Sequence, residues 1–263
     1  MKKTLGLALG SGGSRGTAHI GFLQALDEND IKVDFIAGTS MGAVVGACYA
    51  KGMTPLEMSE RIFDLKARDL FDIDLMPLTR LGLLRSQKVK ILIEDLLGDV
   101  KFKALKIPFK CVAVNILTGK AVTLDDNNNL VDCVLASSAI PSIFRPVKID
   151  DMLLVDGGVA NRVPVSVVKE MGADVVIGID VLGKILEVEE VKNVFSVILR
   201  MIDIMDFSNT EKRFKDEQDI IDLWLEPEMG NISQYNIKSI EKAYEAGYQL
   251  GIKNIKKIKE LLK

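Results

Sequence analysis

Twice within its first fifty residues the chain sets an apolar strand-length run against a glycine turn and then a helix-compatible segment. Thr4 to Leu9 leads into Gly10-Ser11-Gly12-Gly13-Ser14-Arg15-Gly16 and the amphipathic stretch His19 to Glu28. Val33 to Ala37 leads into Gly38-Thr39-Ser40-Met41-Gly42 and a small-residue helix reaching Ala50. Short apolar runs bounded by turn residues read as buried strands, and runs with apolar positions three and four apart read as helices. The alternation continues to the end. Further helices are expected from Thr54-Pro55 to about Lys66, and over Gln87 to Leu97, Val131 to Ala139, Val165 to Met171, Glu189 to Phe214 and Lys238 to Leu262. Strands are expected at Phe109 to Val114, Ala121 to Leu124, Val147 to Ile149, Leu153 to Val155, Val175 to Val181 and Ile220 to Leu225. Such an order argues for an α/β fold, a largely parallel sheet with helices on both faces. No repeat, low-complexity tract or linker divides residues 1–263, which read as one domain.

Charge narrows the functional classes. Thirty-four basic against 37 acidic side chains leave a net of −3, which gives no electrostatic case for nucleic acid. Cys48, Cys111 and Cys133 are scattered among apolar residues with no metal spacing; they read as reduced core thiols of a cytoplasmic protein. No window supplies the roughly 20 uncharged apolar residues of a spanning helix.

Gly38-Thr39-Ser40-Met41-Gly42 is a G-x-S-x-G sequence in the strand–turn–helix setting that lifts a serine hydroxyl out of the backbone. A plain turn whose serine caps the next helix would use the same residues. As a nucleophile Ser40 needs a base, yet the chain has one histidine, His19, and it precedes the serine. The upstream glycine loop aims backbone N–H groups at a helix start, where negative charge is favoured. A dinucleotide pyrophosphate and the oxyanion of a tetrahedral intermediate both fit such a loop. The nucleotide reading wants an acid at the end of the second strand, whereas Asp34 sits at its start, so the oxyanion reading is preferred. Arg15 would reinforce that anion site, contact a substrate phosphate, or pair with a neighbouring carboxylate. Asp156-Gly157-Gly158 follows an apolar strand; it is a common turn sequence, but a carboxylate there stands where open α/β sheets place their sites. A partly desolvated Asp156 with a raised pKa would take the Ser40 proton. His19, on a helix after the loop, is the rival base and reads more readily as structural.

These three motifs, in this order, resemble the patatin-like phospholipase family, and particularly its bacterial members related to the neuropathy target esterase catalytic domain. Gly12-Gly13-Ser14-Arg15-Gly16, His19-Ile20-Gly21, Gly38-Thr39-Ser40-Met41-Gly42, the Ala136 to Pro146 segment and Asp156-Gly157-Gly158 carry the likeness over nearly the whole chain. The resemblance implies a three-layer α/β sandwich with a mainly parallel central sheet. It also implies a Ser40–Asp156 dyad without histidine, metal or cofactor, an oxyanion hole formed or supported by Gly12, Gly13, Ser14 and Arg15, and lipid ester hydrolysis through an acyl-enzyme. A thioesterase or acyltransferase acting on a soluble acyl substrate would use the same dyad. A non-catalytic nucleotide-binding or regulatory protein is the alternative of another class.

Two stretches bear on peripheral membrane contact. Leu65 to Leu84 is rich in leucine without clear period and suits a lid, a lipid-facing patch or a loop on the core. The basic amphipathic tail from Ile252 to Lys263 suits a bilayer surface or, preferably, docking on its own domain.

Overall fold

The computed structural model describes residues 3–64, 87–185, 187–188 and 190–263; the Leu65 to Leu84 stretch falls outside them. Its centre is the strand β1 (Leu5–Leu9), buried at every position. Burial on both sides demands an uninterrupted apolar run, and Leu-Gly-Leu-Ala-Leu supplies one. β1 pairs in parallel with β2 (Phe35–Thr39) on one edge and β7 (Val175–Ile179) on the other. Beyond them lie β3 (Phe109–Asn115) and β8 (Leu223–Leu225), also parallel.

The sheet is parallel from β3 to β8 and becomes mixed at its other end. β4 (Lys120–Leu124), β5 (Val147–Ile149) and β6 (Met152–Asp156) all join antiparallel, in the order β5-β6-β3-β2-β1-β7-β8 with β4 also on β3. Short connections explain this. β3 turns at Thr118 and Gly119 straight back into β4, and β5 turns back into β6, whereas parallel partners need a crossover helix.

One consequence positions the site. Val112 pairs with both Thr39 and Thr123, and Ala113 with both Val122 and Asp156. A strand has two edges, so β4 occupies one and β2 and β6 must follow each other along the other. β2 runs up that edge and ends at Thr39, while β6 runs down it and ends at Asp156. The last residues of two strands over a hundred positions apart meet head to head.

Among the described residues eight α-helices cover the faces. On one face, α6 (Val165–Glu170) presses Val165 and Val168 on Ala8, Ala37 and Val176. On the other lie α1 (Ala18–Asp27), α2 (Met41–Lys51) and α5 (Leu130–Ser137), with α3 (Pro55–Phe63) and α4 (Gln87–Leu97) beside them. Thr54 caps α3 in a full capping box with Glu57, and the helix ends at Phe63 rather than near Lys66. The C-terminal helix α8 (Ile240–Leu261) lies along α1 at close range, because a Cβ on Gly247 would sit 1.8 Å from the Ala18 carbonyl oxygen. Its Ile258 is fully buried, so the tail docks on the chain itself. α7 (Val194–Asp216) starts later than Glu189, where Asn193 accepts from the Ser196 N–H as its N-cap.

Candidate active site

Ser40 occupies the turn between β2 and α2 with φ 55° and ψ −122°. A side chain at positive φ is strained by about 1–3 kcal/mol, and such strain persists only where its surroundings over-determine it. Three contacts do so. The Ser40 N–H donates to Ser137 Oγ at 3.0 Å, and that hydroxyl donates to the Val112 carbonyl at 2.6 Å. Thr39 Oγ1 donates to the Asn161 carbonyl at 3.0 Å. The flanking glycines allow the turn to close. A Cβ on Gly38 would stand 2.4 Å from the Gly42 carbonyl oxygen, and one on Gly42 would stand 2.1 Å from that of Leu9. Those obstacles are backbone and cannot swing aside. Gly42→Ala is therefore expected to cost about 3 kcal/mol, read as a fall in the urea midpoint at unchanged m-value.

Asp156 ends β6 beside this turn, close enough to feel the Ser40 hydroxyl, and its carboxylate accepts the Gly158 N–H at 2.8 Å. Ser40 and Asp156 are each about nineteen-twentieths buried (5% and 6% exposed). Burial raises the Asp156 pKa to about 6 against the opposing pull of the Ser40 hydroxyl and the Gly158 N–H. Gly157 and Gly158 let the chain turn under it: a Cβ on Gly157 would meet the Val112 carbonyl oxygen at 2.3 Å, and one on Gly158 would meet Ser11 Oγ at 2.9 Å. The Asp156 N–H donates to the Ala139 carbonyl at 2.9 Å, which ties the segment after α5 to the same spot.

The glycine loop forms a short 3-10 turn, Gly13–Thr17, leading into α1. It touches the elbow directly, since a Cβ on Gly16 would lie 2.3 Å from Met41 Cγ. The four loop residues differ in what they offer. The Ser14 N–H is committed to the Gln234 carbonyl at 2.9 Å and the Arg15 N–H to that of Gly12 at 3.0 Å. The N–H groups of Gly12 and Gly13 have no protein acceptor among the described residues. The Arg15 guanidinium turns away from Ser40 into a separate polar cleft, with no carboxylate at ion-pair distance among the described residues. His19 is fully buried and its Nε2 holds the Gly10 carbonyl at 2.8 Å. Burial lowers its pKa to about 4, so it is neutral and pins the loop. Asp34 accepts the Leu5 N–H at 3.0 Å, at the end of β1 opposite the glycine loop.

An apolar cavity of ≈ 190 Å³ opens over Ser40. α4 supplies Val89, Leu92, Ile93 and Leu96, and the segment after α5 supplies Ile140 and Ile143. The sequence marks the latter segment as a wall but gives no hint of α4, whose apolar stripe looks like any core face. It is equally silent on Ser137, whose hydroxyl bridges the elbow to β3, and on Met41, whose N–H is the first unsatisfied donor of α2.

A buried serine on a strained strand-to-helix turn, at the carboxyl ends of parallel strands and under an apolar cavity, places the chain among α/β proteins built around a serine elbow. Residues 7–169 match the family model described as patatin-like phospholipase, and the chain belongs to that family. It is similar to an uncharacterized NTE family protein of Mycobacterium tuberculosis, 37% identical over 177 residues that cover 67% of this chain and 49% of the relative. Neuropathy target esterase sws of Drosophila melanogaster is 34% identical over 184 residues, covering 68% of this chain and 13% of the relative. Lysophospholipase NTE1 of Scheffersomyces stipitis is 31% identical over 186 residues, covering 68% and 12%. The chain thus spans about half the length of the mycobacterial relatives and far less of the others. Among solved structures, VipD from Legionella pneumophila aligns with a TM-score of 0.63 at 14% identity, over 97% of this chain and 67% of that one. The type III effector protein ExoU aligns at 0.55 and 13%, over 97% and 53%. At such identities the likeness is one of fold.

Proposed function

We propose that the chain hydrolyses acyl esters of lipids with Ser40 as nucleophile and Asp156 as base. Ser40 Oγ adds to the ester carbonyl carbon while its proton passes to Asp156. The bond to the alcohol oxygen breaks, and Asp156 returns the proton to that oxygen. Water then adds to the acyl-enzyme, gives one proton to Asp156, and the acid leaves as the proton goes back to Ser40. The N–H groups of Gly12 and Gly13, with that of Met41, face the charge on the carbonyl oxygen, while Ser14 and Arg15 fix the loop that carries them. The observation that carries this reading is the meeting of the Ser40 turn with Asp156 at the ends of β2 and β6, both buried, where the carboxylate's pKa of about 6 suits proton transfer near neutrality.

The apolar cavity above Ser40 supports an acyl chain as the bound part. A second feature supports a lipid surface as its source. Val194, Val197, Ile198, Met201, Ile204 and Met205 share one face of α7 and are 40–76% exposed, at the spacing of an apolar stripe. Leu199, on the opposite face of the same helix, packs on the Ala139, Ile143 and Phe144 cluster, so the helix that carries the stripe borders the cavity wall. No helix among the described residues is long and apolar enough to cross a membrane, and a surface stripe suits contact without crossing.

The test has two arms. A fluorophosphonate probe is expected to label Ser40 in the folded protein and not in Asp156→Asn; absence of labelling would remove the enzyme reading. The double variant Ile198→Asp/Met201→Asp is expected to lose about tenfold in hydrolysis of phospholipid vesicles, yet keep short-chain soluble ester hydrolysis within about twofold. Equal losses on both substrates would point to a soluble acyl substrate instead.

A further inference from the structure

The glycine loop borders a second cavity whose chemistry differs from that above Ser40. This polar cleft of ≈ 320 Å³ lies between α7, residues 182–185, 187–188 and 190–191, and residues 231–235. Ser14 lines the apolar cavity and Arg15 the polar cleft, while Gln234 and Tyr235 border both. The two spaces therefore open within one residue of each other on the same loop.

Two buried guanidinium groups line the cleft, and they are partnered differently. Arg162 is held by Asp180 at 2.7 Å, Asp206 at 3.2 Å and the Gly183 carbonyl at 3.1 Å. Arg15 is as buried, at 6% exposed, but among the described residues it makes a single long bond, Nη1 to the Ile232 carbonyl at 3.4 Å, and its Nε has no acceptor there. Burying a cation without an adjoining anion is costly: desolvation, with Arg162 beside it, lowers the Arg15 pKa, and Asp180 and Glu226 offset this only in part, from beyond ion-pair distance. Lys184 and Arg200 add two more cations to the cleft without an ion-pair partner among the described residues. The inner carboxylates are already engaged: Asp206 by Arg162, and Asp203 by Gln234 Nε2 at 2.9 Å and the Tyr235 hydroxyl at 3.0 Å. Glu187 and Glu190 stand on the exposed rim, Glu190 against Lys192.

We infer that this cleft is an anion subsite, in which Arg15 and Arg200 receive a phosphate group carried on the alcohol side of the ester. The inference rests on the proposed hydrolysis at Ser40. With the acyl chain in the apolar cavity, the alcohol is directed past Gln234 and Tyr235 toward the unpaired guanidinium. A phosphate matches it by accepting paired N–H donors.

The test uses the whole chain and two independent readouts. In Ser40→Ala protein, calorimetric titration with glycerol 3-phosphate and with inorganic phosphate reads the subsite without turnover. Binding of both is expected, weakened at least tenfold in Arg15→Gln and in Arg200→Ala, and falling with added salt. Tighter binding of glycerol 3-phosphate would identify the lipid alcohol as the source of the phosphate, and equal binding a free phosphate ligand. In active protein, Arg200→Ala is expected to raise KM for a lysophospholipid about tenfold and leave kcat/KM for a neutral short-chain ester within twofold. No binding of either anion, or equal effects of Arg200→Ala on both substrates, would overturn the inference. Loss of neutral-ester hydrolysis in the parent chain would instead overturn the proposed reaction, while the titration would still report on the cleft.

Discussion

Ser40→Ala is expected to lower kcat on any acyl ester by about 10⁴–10⁶-fold, because residues that act as one catalytic unit cannot be removed singly without losing most of it. What survives would come from the loop amides and the cavity. The elbow makes a second, separable expectation. At φ 55° and ψ −122° the Cβ of residue 40 is itself the source of strain, so alanine keeps the strain and glycine releases it. Ser40→Gly should be as inactive as Ser40→Ala but more stable by about 1 kcal/mol, measured by urea unfolding of the two variants side by side. Retention of hydrolysis by either variant would move the nucleophile elsewhere. Equal stability of the two would mean that the turn relaxes once the hydroxyl is gone.

Much of this site was legible because its parts are local. Gly38 and Gly42 announce a turn that only glycine can close, and the structure shows backbone oxygen atoms where their side chains would be. The Gly12-Gly13 pair likewise announces a loop whose amides are left without an acceptor among the described residues. Strands and helices followed from apolar periodicity, and Gln87–Leu97 and Val147–Ile149 have the expected bounds. What could not be read is register. That β2 and β6 share one edge of β3, with Thr39 opposite Val112 and Asp156 opposite Ala113, depends on pairings no local pattern records. The likeness to a family implies a partnership of Ser40 with Asp156; the mixed end of the sheet gives the physical reason why the two residues are neighbours. The same blindness hid α4 as a cavity wall and the direction of the Arg15 side chain, since an arginine after a glycine loop has the same sequence whichever cavity it enters.

Asp156→Asn is expected to lower kcat/KM by about 10³–10⁴-fold and at the same time to stabilise the fold at neutral pH. Both follow from one cause. Burial lifts the Asp156 pKa from 3.8 to about 6, which brings the carboxylate closer to the proton affinity a general base needs. The same shift means that the folded chain holds this proton more tightly than the unfolded one. Its contribution to stability is fully present below pH 3.8 and is lost as pH rises through 6, after which the ionised buried carboxylate costs about 2–3 kcal/mol. Asparagine carries no charge, and its Oδ1 can still accept the Gly158 N–H. The melting temperature of Asp156→Asn should therefore exceed that of the parent at pH 8 and approach it near pH 3.5. In the parent chain kcat/KM should fall tenfold per unit as pH drops below about 6 and stay level above 7. His19 supplies the control, because its pKa of about 4 keeps it neutral across that range. His19→Ala should cost about 1–3 kcal/mol by leaving the Gly10 carbonyl without its donor, yet leave the acidic limb in place. An Asp156→Asn chain that is inactive but no more stable at pH 8 would show that the carboxylate is held for structure. Inactivity together with a pH-dependent gain in stability is the signature of a base kept in the core at the fold's expense.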